Sequence, residues 1–287
     1  MLNREIKWYF PETEEEAVAV KRENVDTLYH AGGTGILRTK SQKIKGLIDL
    51  SALDLNYIKK EGNTIRIGAT STYSQICKTS LTEASLQMLK GAVSRAGSTL
   101  LRNRITMGGS LIDAPYWSDL FSTLLCLGAH LTYRRLDLTV ETCTVKEFLD
   151  RRLKKENVLI REVILPVKED LIFFVRRFTR VFFDYPVFNL AFCAKRVKKK
   201  GGEYAIGEPA IFVTGVKRFY RELTEAEEFI NNNIVDSRLI EECMKHVDAE
   251  FTPDRNFGAE YKLLMLKSLF KDGLEELLPN FIKTGDQ

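Results

Sequence analysis

Two glycine pairs are the parts of this sequence whose residue types and spacing best suit chemistry. Ala31-Gly32-Gly33-Thr34-Gly35 follows directly on Thr27 to His30, which reads as a strand. Thr106-Met107-Gly108-Gly109-Ser110 follows an irregular basic stretch, Leu101-Arg102-Asn103-Arg104. A glycine pair at the end of a strand lets successive N–H groups converge on one concavity, and with no Cβ in the way a diphosphate can approach the backbone closely. Two such loops can grip one pyrophosphate. Taken singly, each pair also fits an ordinary tight turn.

The first loop has a competing reading, because Gly33-Thr34-Gly35 supplies the opening half of a Gly-x-Gly-x-x-Gly dinucleotide fingerprint after a strand. The second half fails. Arg38 stands where the third glycine belongs, and Arg38 to Lys45 is polar without an apolar stripe, so a loop is predicted where a phosphate-holding helix should begin. Metal ligation finds no support either. Cys77, Cys126, Cys143, Cys193 and Cys243 lie far apart with no Cys-x-x-Cys pair, and His30, His130 and His246 are equally isolated, so zinc and iron–sulfur spacings are missing. The cysteines read as reduced core thiols and the histidines as packing or surface groups. No side chain is assigned as an acid, base or nucleophile.

The loops must be held by an N-terminal mixture of strands and helices. Thr13-Glu14-Glu15-Glu16 has the form of a capping box ahead of Ala17, Val18 and Val20 and predicts a helix from about 13 to 23. Gly46 to Leu50 reads as strand, and Thr64 to Gly68 alternates with period two. Ser80-Leu81-Thr82-Glu83 has the form of a second capping box, opening a helix with Ala84, Met88, Leu89, Ala92 and Val93 on its apolar stripe and an end near Gly97. Asp119 to Gly128 reads as helix, and Ala129 to Tyr133, Thr139 to Thr142 and Val158 to Leu165 as strands that stop at Pro166. From about residue 171 the pattern changes to long strands, Ile172 to Phe178, Phe188 to Arg196 and Ala210 to Val216. Helices follow near Thr224, along Leu239, Ile240, Cys243, Met244 and Val247, and from Ala259 to Phe270 before Gly273. The change places a domain boundary near 167 to 172.

With 44% hydrophobic and 29% charged residues, the composition is that of a soluble globular protein, and no segment is apolar for long enough to cross a bilayer. Met1-Leu2-Asn3-Arg4-Glu5 lacks the apolar stretch of a signal peptide, so a cytoplasmic location is expected. The net charge of +4 is small and both signs are interspersed, which argues against a nucleic-acid partner. The one dense basic run, Lys195 to Lys200 leading into Gly201-Gly202, reads as a solvated hairpin tip or, less simply, as a partner patch.

Taken together, the motifs resemble the FAD-binding medium subunits of the molybdenum hydroxylases, such as bacterial xanthine and carbon monoxide dehydrogenases, over nearly the whole chain. Arg102-Asn103-Arg104-Ile105-Thr106-Met107-Gly108-Gly109-Ser110 is similar to the family's Arg-Asn-x-x-Thr-Ile-Gly-Gly-Asn and is followed at the right distance by Ser118-Asp119-Leu120. Ala31-Gly32-Gly33-Thr34 is similar to its first loop, Val163-Ile164-Leu165-Pro166 to the strand closing its flavin domain, and Arg177-Phe178-Thr179-Arg180 to its Lys-x-Gly/Thr-Arg segment. Glu225-Ala226-Glu227, Asp254-Arg255 and Glu260-Tyr261-Lys262 resemble its short C-terminal signatures.

The resemblance implies an α+β protein with a two-subdomain FAD-binding fold of the PCMH type over 1–168 (subdomains about 1–54 and 55–168). A smaller α+β domain of antiparallel sheet and helices would follow over 169–287. It implies FAD as cofactor, with Ala31, Gly32, Gly33, Thr34, Gly35, Ile36, Thr106, Gly108, Gly109 and Ser110 around the pyrophosphate, mainly through backbone N–H groups. Asp119 would accept from a ribityl or ribose hydroxyl, or cap a helix after Ser118. Ile160 would lie near the adenine and Arg177 near the cofactor edge, in the family's lysine position. The implied function is electron transfer from a [2Fe–2S] subunit to FAD and on to NAD or another acceptor, beside a molybdopterin-binding large subunit that handles the substrate. A flavin-free scaffold of the same fold and a self-contained FAD-dependent oxidoreductase remain alternatives. Gly35, Ser110 and Val181 depart from the family's usual residues, and Asp113-Ala114-Pro115-Tyr116-Trp117 is bulkier than its Ala-Ser-Pro run, so an aromatic there either fills space or packs near the flavin. The second loop is expected to be the stronger anchor, so that Gly109→Val abolishes FAD retention and Gly35→Ala is milder.

Overall fold

The computed structural model describes residues 5–39, 43–182, 184–199 and 203–280, and of Lys154 and Asn280 the backbone alone. In chain order the first elements are β1 (Lys7–Tyr9), α1 (Glu14–Glu23), β2 (Thr27–His30), α2 (Thr34–Arg38), β3 (Gly46–Asp49), β4 (Ile58–Glu61), β5 (Thr64–Gly68) and α3 (Tyr73–Lys78). Then come α4 (Ala84–Val93), α5 (Thr99–Arg102), α6 (Met107–Asp113), α7 (Phe121–Leu127), β6 (His130–Arg134), β7 (Val140–Thr144), α8 (Val145–Asp150) and β8 (Leu159–Pro166). The last are β9 (Leu171–Phe178), β10 (Phe188–Lys198), β11 (Tyr204–Val216), β12 (Phe219–Glu222), α9 (Thr224–Ile230), α10 (Ser237–Cys243) and α11 (Ala259–Leu277). They pack as two units. One comprises the described residues to Leu81 together with Ala96–Pro115 and Gly128–Pro166; the other comprises Thr82–Arg95, Tyr116–Leu127 and the described residues from Val167 on.

In the first unit, β1 and β2 flank β3 in a parallel three-stranded sheet. An antiparallel five-stranded sheet runs in the order β4-β5-β8-β6-β7. Helix α1 starts where expected because the Thr13 hydroxyl accepts the Glu16 N–H at 3.2 Å, satisfying one of the donors that a helix start leaves open. Its Ala17 and Val18 pack in one core with Ile48, Leu50, Leu53 and, from the other sheet, Leu159. Glu14, in its first turn, bridges to Arg134 at 2.9 Å and Arg161 at 2.8 Å, both on the five-stranded sheet, so the helix packed on β3 is also tied to that sheet. The first glycine loop departs from the carboxyl end of β2.

The second unit is an antiparallel four-stranded sheet, β12-β11-β10-β9, with helices packed on it. α4 and α11 lie against β9, and α7 lies against β10 and β11. Phe174, Phe188, Phe192, Leu266 and Phe270 belong to its core.

Three local expectations are corrected. Helix α4 starts at Ala84 with Glu83 at the cap position and no capping side chain, so the Ser80 box does not form; residues 79–83 have no regular structure. Helix α11 runs through Gly273 to Leu277, because that glycine is a packing residue: a Cβ there would meet the Phe174 ring at 2.6 Å. Arg38 ends a one-turn helix, α2, where a polar loop was expected. The basic hairpin tip at Lys200 to Gly202 lies outside the described residues, although the strands on either side of it, β10 and β11, are antiparallel neighbours.

Candidate cofactor site

The first glycine loop leaves β2 at His30 and turns at Gly33, whose φ of 74° is the left-handed conformation that favours glycine. Gly33 caps α2 without any side-chain hydrogen bond, so the N–H groups of the first turn have no intrahelical partner. Ala31, Gly32, Gly33, Thr34, Gly35 and Ile36 are all half-buried.

The second loop is built differently. Thr106 caps α6, its hydroxyl accepting the Gly109 N–H at 3.2 Å while its carbonyl accepts the Ser110 N–H at 3.0 Å and the Ser110 hydroxyl at 2.9 Å. Met107 N–H goes to the Ser71 carbonyl at 2.9 Å and Gly108 N–H to that of Ala69 at 2.8 Å. Four successive donors are thus spent inside the unit. Thr106, Gly108 and Ser110 are buried and Gly109 is exposed. At Gly109 a Cβ would meet Thr106 Oγ1 at 2.7 Å and, its chain neighbours and own helix backbone aside, no other described atom within 4 Å, so its outer face is open to close approach.

The two loops meet at Gly32. A Cβ there would stand 1.5 Å from the Arg104 carbonyl oxygen, so only glycine lets the first loop lie against the chain entering the second. Beyond that contact, Arg38 of α2 pairs with Asp113 at the end of α6. The Asp113 carboxylate also faces Gly35, its Cγ 3.1 Å from where a Cβ would stand. Ile160 is buried on β8 of the same unit. At the base of the first loop, His30 and Asp49 are register partners on β2 and β3, paired through Nδ1 and Oδ2 at 3.2 Å. Burial works against ionisation of Asp49, but hydrogen bonds from Ser51 and the His30 ring outweigh it and hold the carboxyl below its ordinary range.

Asp119 and Arg177 belong to the second unit and bind each other, Nε to Oδ1 at 2.8 Å. Arg177 also donates from Nη1 to the Phe182 carbonyl at 3.0 Å and from Nη2 to that of Asp184 at 2.6 Å, which pins the turn between β9 and β10. The pair opens on a cleft with Arg95, Thr123 and Asn189 in its wall. The Thr123 hydroxyl is buried there without a partner among the described residues. Trp117 packs edge-on against Tyr116 and tilted against Tyr185, with ring centroids 4.6 and 4.9 Å away.

With this geometry in hand, comparison with known proteins is decisive. The family described as the FAD binding domain in molybdopterin dehydrogenase matches residues 4–168. The chain belongs to that family. The nicotinate dehydrogenase FAD-subunit of Eubacterium barkeri is 29% identical over 168 residues, 56% of this chain and 57% of that relative, so the match spans a little over half of the relative's length. The glyceraldehyde dehydrogenase medium chain of Sulfolobus acidocaldarius is 22% identical over 95% of this chain and 98% of its own. Among solved structures, carbon monoxide dehydrogenase from Hydrogenophaga pseudoflava superposes with a TM-score of 0.86 at 20% identity, covering 98% of this chain and 100% of that one. Quinoline 2-oxidoreductase from Pseudomonas putida 86 gives 0.85 at 17% identity, covering 96% and 97%. The FAD-binding domain followed by a sheet-and-helix region is therefore the fold of this family member, as expected from its motifs.

Membership makes FAD the cofactor, and two observations within the first unit fit it: first-turn donors of α2 that have no partner among the described residues, and the open face of Gly109. The sequence reading missed Arg104 as the backbone seat of Gly32, the Arg38–Asp113 pair and the His30–Asp49 pair. Asp113 carried a signal, because it falls in the run that departs from the family. The other two pairings join residues with no motif between them. Among the described residues no helix is long and apolar enough to cross a membrane.

Burial pushes the Asp119 carboxyl up to about 6, the neighbouring Arg177 pulling it only part of the way back. A raised carboxyl binds its proton more tightly in the folded chain, so stability is lost as pH rises from the unfolded value near 4 to about 6. Relative to Asp119→Asn, the wild type should therefore lose about 2–3 kcal/mol across that window and stay level above it. Urea unfolding of both chains at stepped pH, followed by Trp117 fluorescence, checks this; a constant difference between them contradicts it.

Proposed function

We propose that this chain is the electron-transfer flavoprotein subunit of a molybdenum hydroxylase complex. It accepts electrons from a [2Fe–2S] partner and passes them to NAD or another acceptor, while a molybdopterin-binding large subunit handles the substrate. The observation that carries this reading is the seating of Gly32 on the Arg104 carbonyl, which brings both glycine loops together within the segment that the FAD-binding family matches. Relatives bearing the names FAD-subunit and medium chain support a division of labour among several chains.

When bound, FAD supplies the redox chemistry, accepting and releasing electrons in ones or twos. The chain's own residues hold it. The backbone of Ala31 to Ile36 donates to the diphosphate, and Gly109 gives it a face free of Cβ. Thr106, Gly108 and Ser110 act by rigidifying the second loop, since their own hydrogen bonds are already made inside the unit. Ile160 offers an apolar wall to the adenine. In the other unit, Asp119 and Arg177 bind each other close to the Thr123 hydroxyl, which is buried without a partner among the described residues.

FAD titration of the purified chain tests the cofactor role. A native-state ligand at about a hundred times its dissociation constant raises stability by about 2.7 kcal/mol, so both flavin absorbance and a higher melting temperature are expected. A colourless chain that FAD does not stabilise overturns the reading. Anaerobic NADH bleaches the bound flavin if NAD is the acceptor; flavin bands unchanged by NADH exclude NAD.

A further inference from the structure

We propose that His30 is a ligand of the cofactor diphosphate, its Nε2–H donating to a phosphate oxygen beside the first glycine loop. The inference rests on the FAD reading of that loop and adds a side chain to a site otherwise made of backbone. The loop has three glycine faces with different neighbours. At Gly32 the missing Cβ looks onto the Arg104 carbonyl oxygen at 1.5 Å, and at Gly35 onto the Asp113 carboxylate at 3.1 to 3.3 Å. Carbonyl and carboxylate oxygens both repel a phosphate. At Gly33 it looks onto His30, with Nε2 at 3.0 Å and Cδ2 at 3.5 Å, so of the atoms nearest the three faces this nitrogen alone can donate.

The ring is also built to present that nitrogen. Nδ1 is tied to Asp49 Oδ2 at 3.2 Å, Trp8 packs edge-on against the imidazole at 4.9 Å and 79°, and the side chain is only 16% exposed. Asp49 accepts the Ser51 N–H through its other oxygen at 2.8 Å, which fixes the carboxylate in turn. An ionised Asp49 can only accept, so Nδ1 carries the proton of that bond. Donation from Nε2 to a phosphate oxygen as well uses the form of the ring in which both nitrogens carry protons. Charge-assisted hydrogen bonds of this kind correspond to about ten- to a hundredfold in affinity.

The test compares FAD with ADP-ribose, which has the same diphosphate and no flavin, on the full chain and on the similarly sized variants His30→Leu and His30→Gln. His30→Leu should weaken both ligands by the same factor of about ten or more. His30→Gln, which restores an N–H without the charge, should fall between His30→Leu and the wild type. Wild-type affinity for ADP-ribose in His30→Leu, or His30→Gln no better than His30→Leu, overturns the proposal. A wild-type chain that binds neither ligand instead overturns the FAD reading beneath it.

Discussion

Gly32→Ala is expected to abolish FAD retention and destabilise the first unit by about 3 kcal/mol, the upper part of the usual cost of overpacking. The methyl would stand 1.5 Å from a backbone oxygen, and a backbone cannot rotate aside as a side chain can. The first loop must lift off the chain entering the second, which separates the two loops. Gly109→Val separates the two effects. Its Cβ meets the Thr106 hydroxyl and the rest of the side chain enters the open face, so flavin should be lost while stability falls by about 1 kcal/mol, the worth of a helix cap. Gly35→Ala faces a carboxylate at 3.1 Å that can yield, and should be milder than either. Flavin-to-protein ratio and Trp8-monitored unfolding measure these outcomes together. Normal flavin content in Gly32→Ala would show that the contact between the loops does not shape the cofactor site.

Arg177→Met is expected to destabilise the second unit by about 3 kcal/mol, in the range found when one member of a buried ion pair is removed. The Asp119 and Arg177 side chains are 9% and 10% exposed, so a lone carboxylate there has little water to turn to. It should take up a proton at neutral pH, since burial has already raised it to about 6. The carbonyls of Phe182 and Asp184 lose their donors as well. Arg177→Lys, which restores the charge but not the planar fork, should recover the pairing with Asp119 and leave the turn loose, at a cost of about 1 kcal/mol. A double-mutant cycle with Asp119→Asn, read by Trp117 fluorescence, should give a coupling above about 1 kcal/mol. Additive losses would mean that the two residues act independently.

Much of the local structure was legible because it depends on neighbours in sequence. The Thr13 cap, the period-two run from Thr64 to Gly68 and the long apolar strands after residue 171 are all written in side-chain patterns a few positions long, and the structure has each of them. Gly273 misled for the same reason: a glycine near a helix end reads as a stop until the Phe174 ring, about a hundred residues earlier, is placed against it. The segments holding α4 and α7 lie within the first 168 residues yet pack with the C-terminal sheet, a grouping that no composition shift announces.

For the site, the sequence by itself determined the chemistry on offer: two Cβ-free loops, no metal-ligand spacing, and motifs specific enough to indicate the family. Only the tertiary structure decided how the loops divide the work. The second spends its N–H groups on Ser71, Ala69 and Thr106 and serves as a rigid seat, while the first has donors without partners among the described residues and gains His30 and Asp49 beneath it. Motif spacing cannot distinguish these roles, because whether an N–H is available depends on which distant carbonyl happens to lie within 3 Å of it.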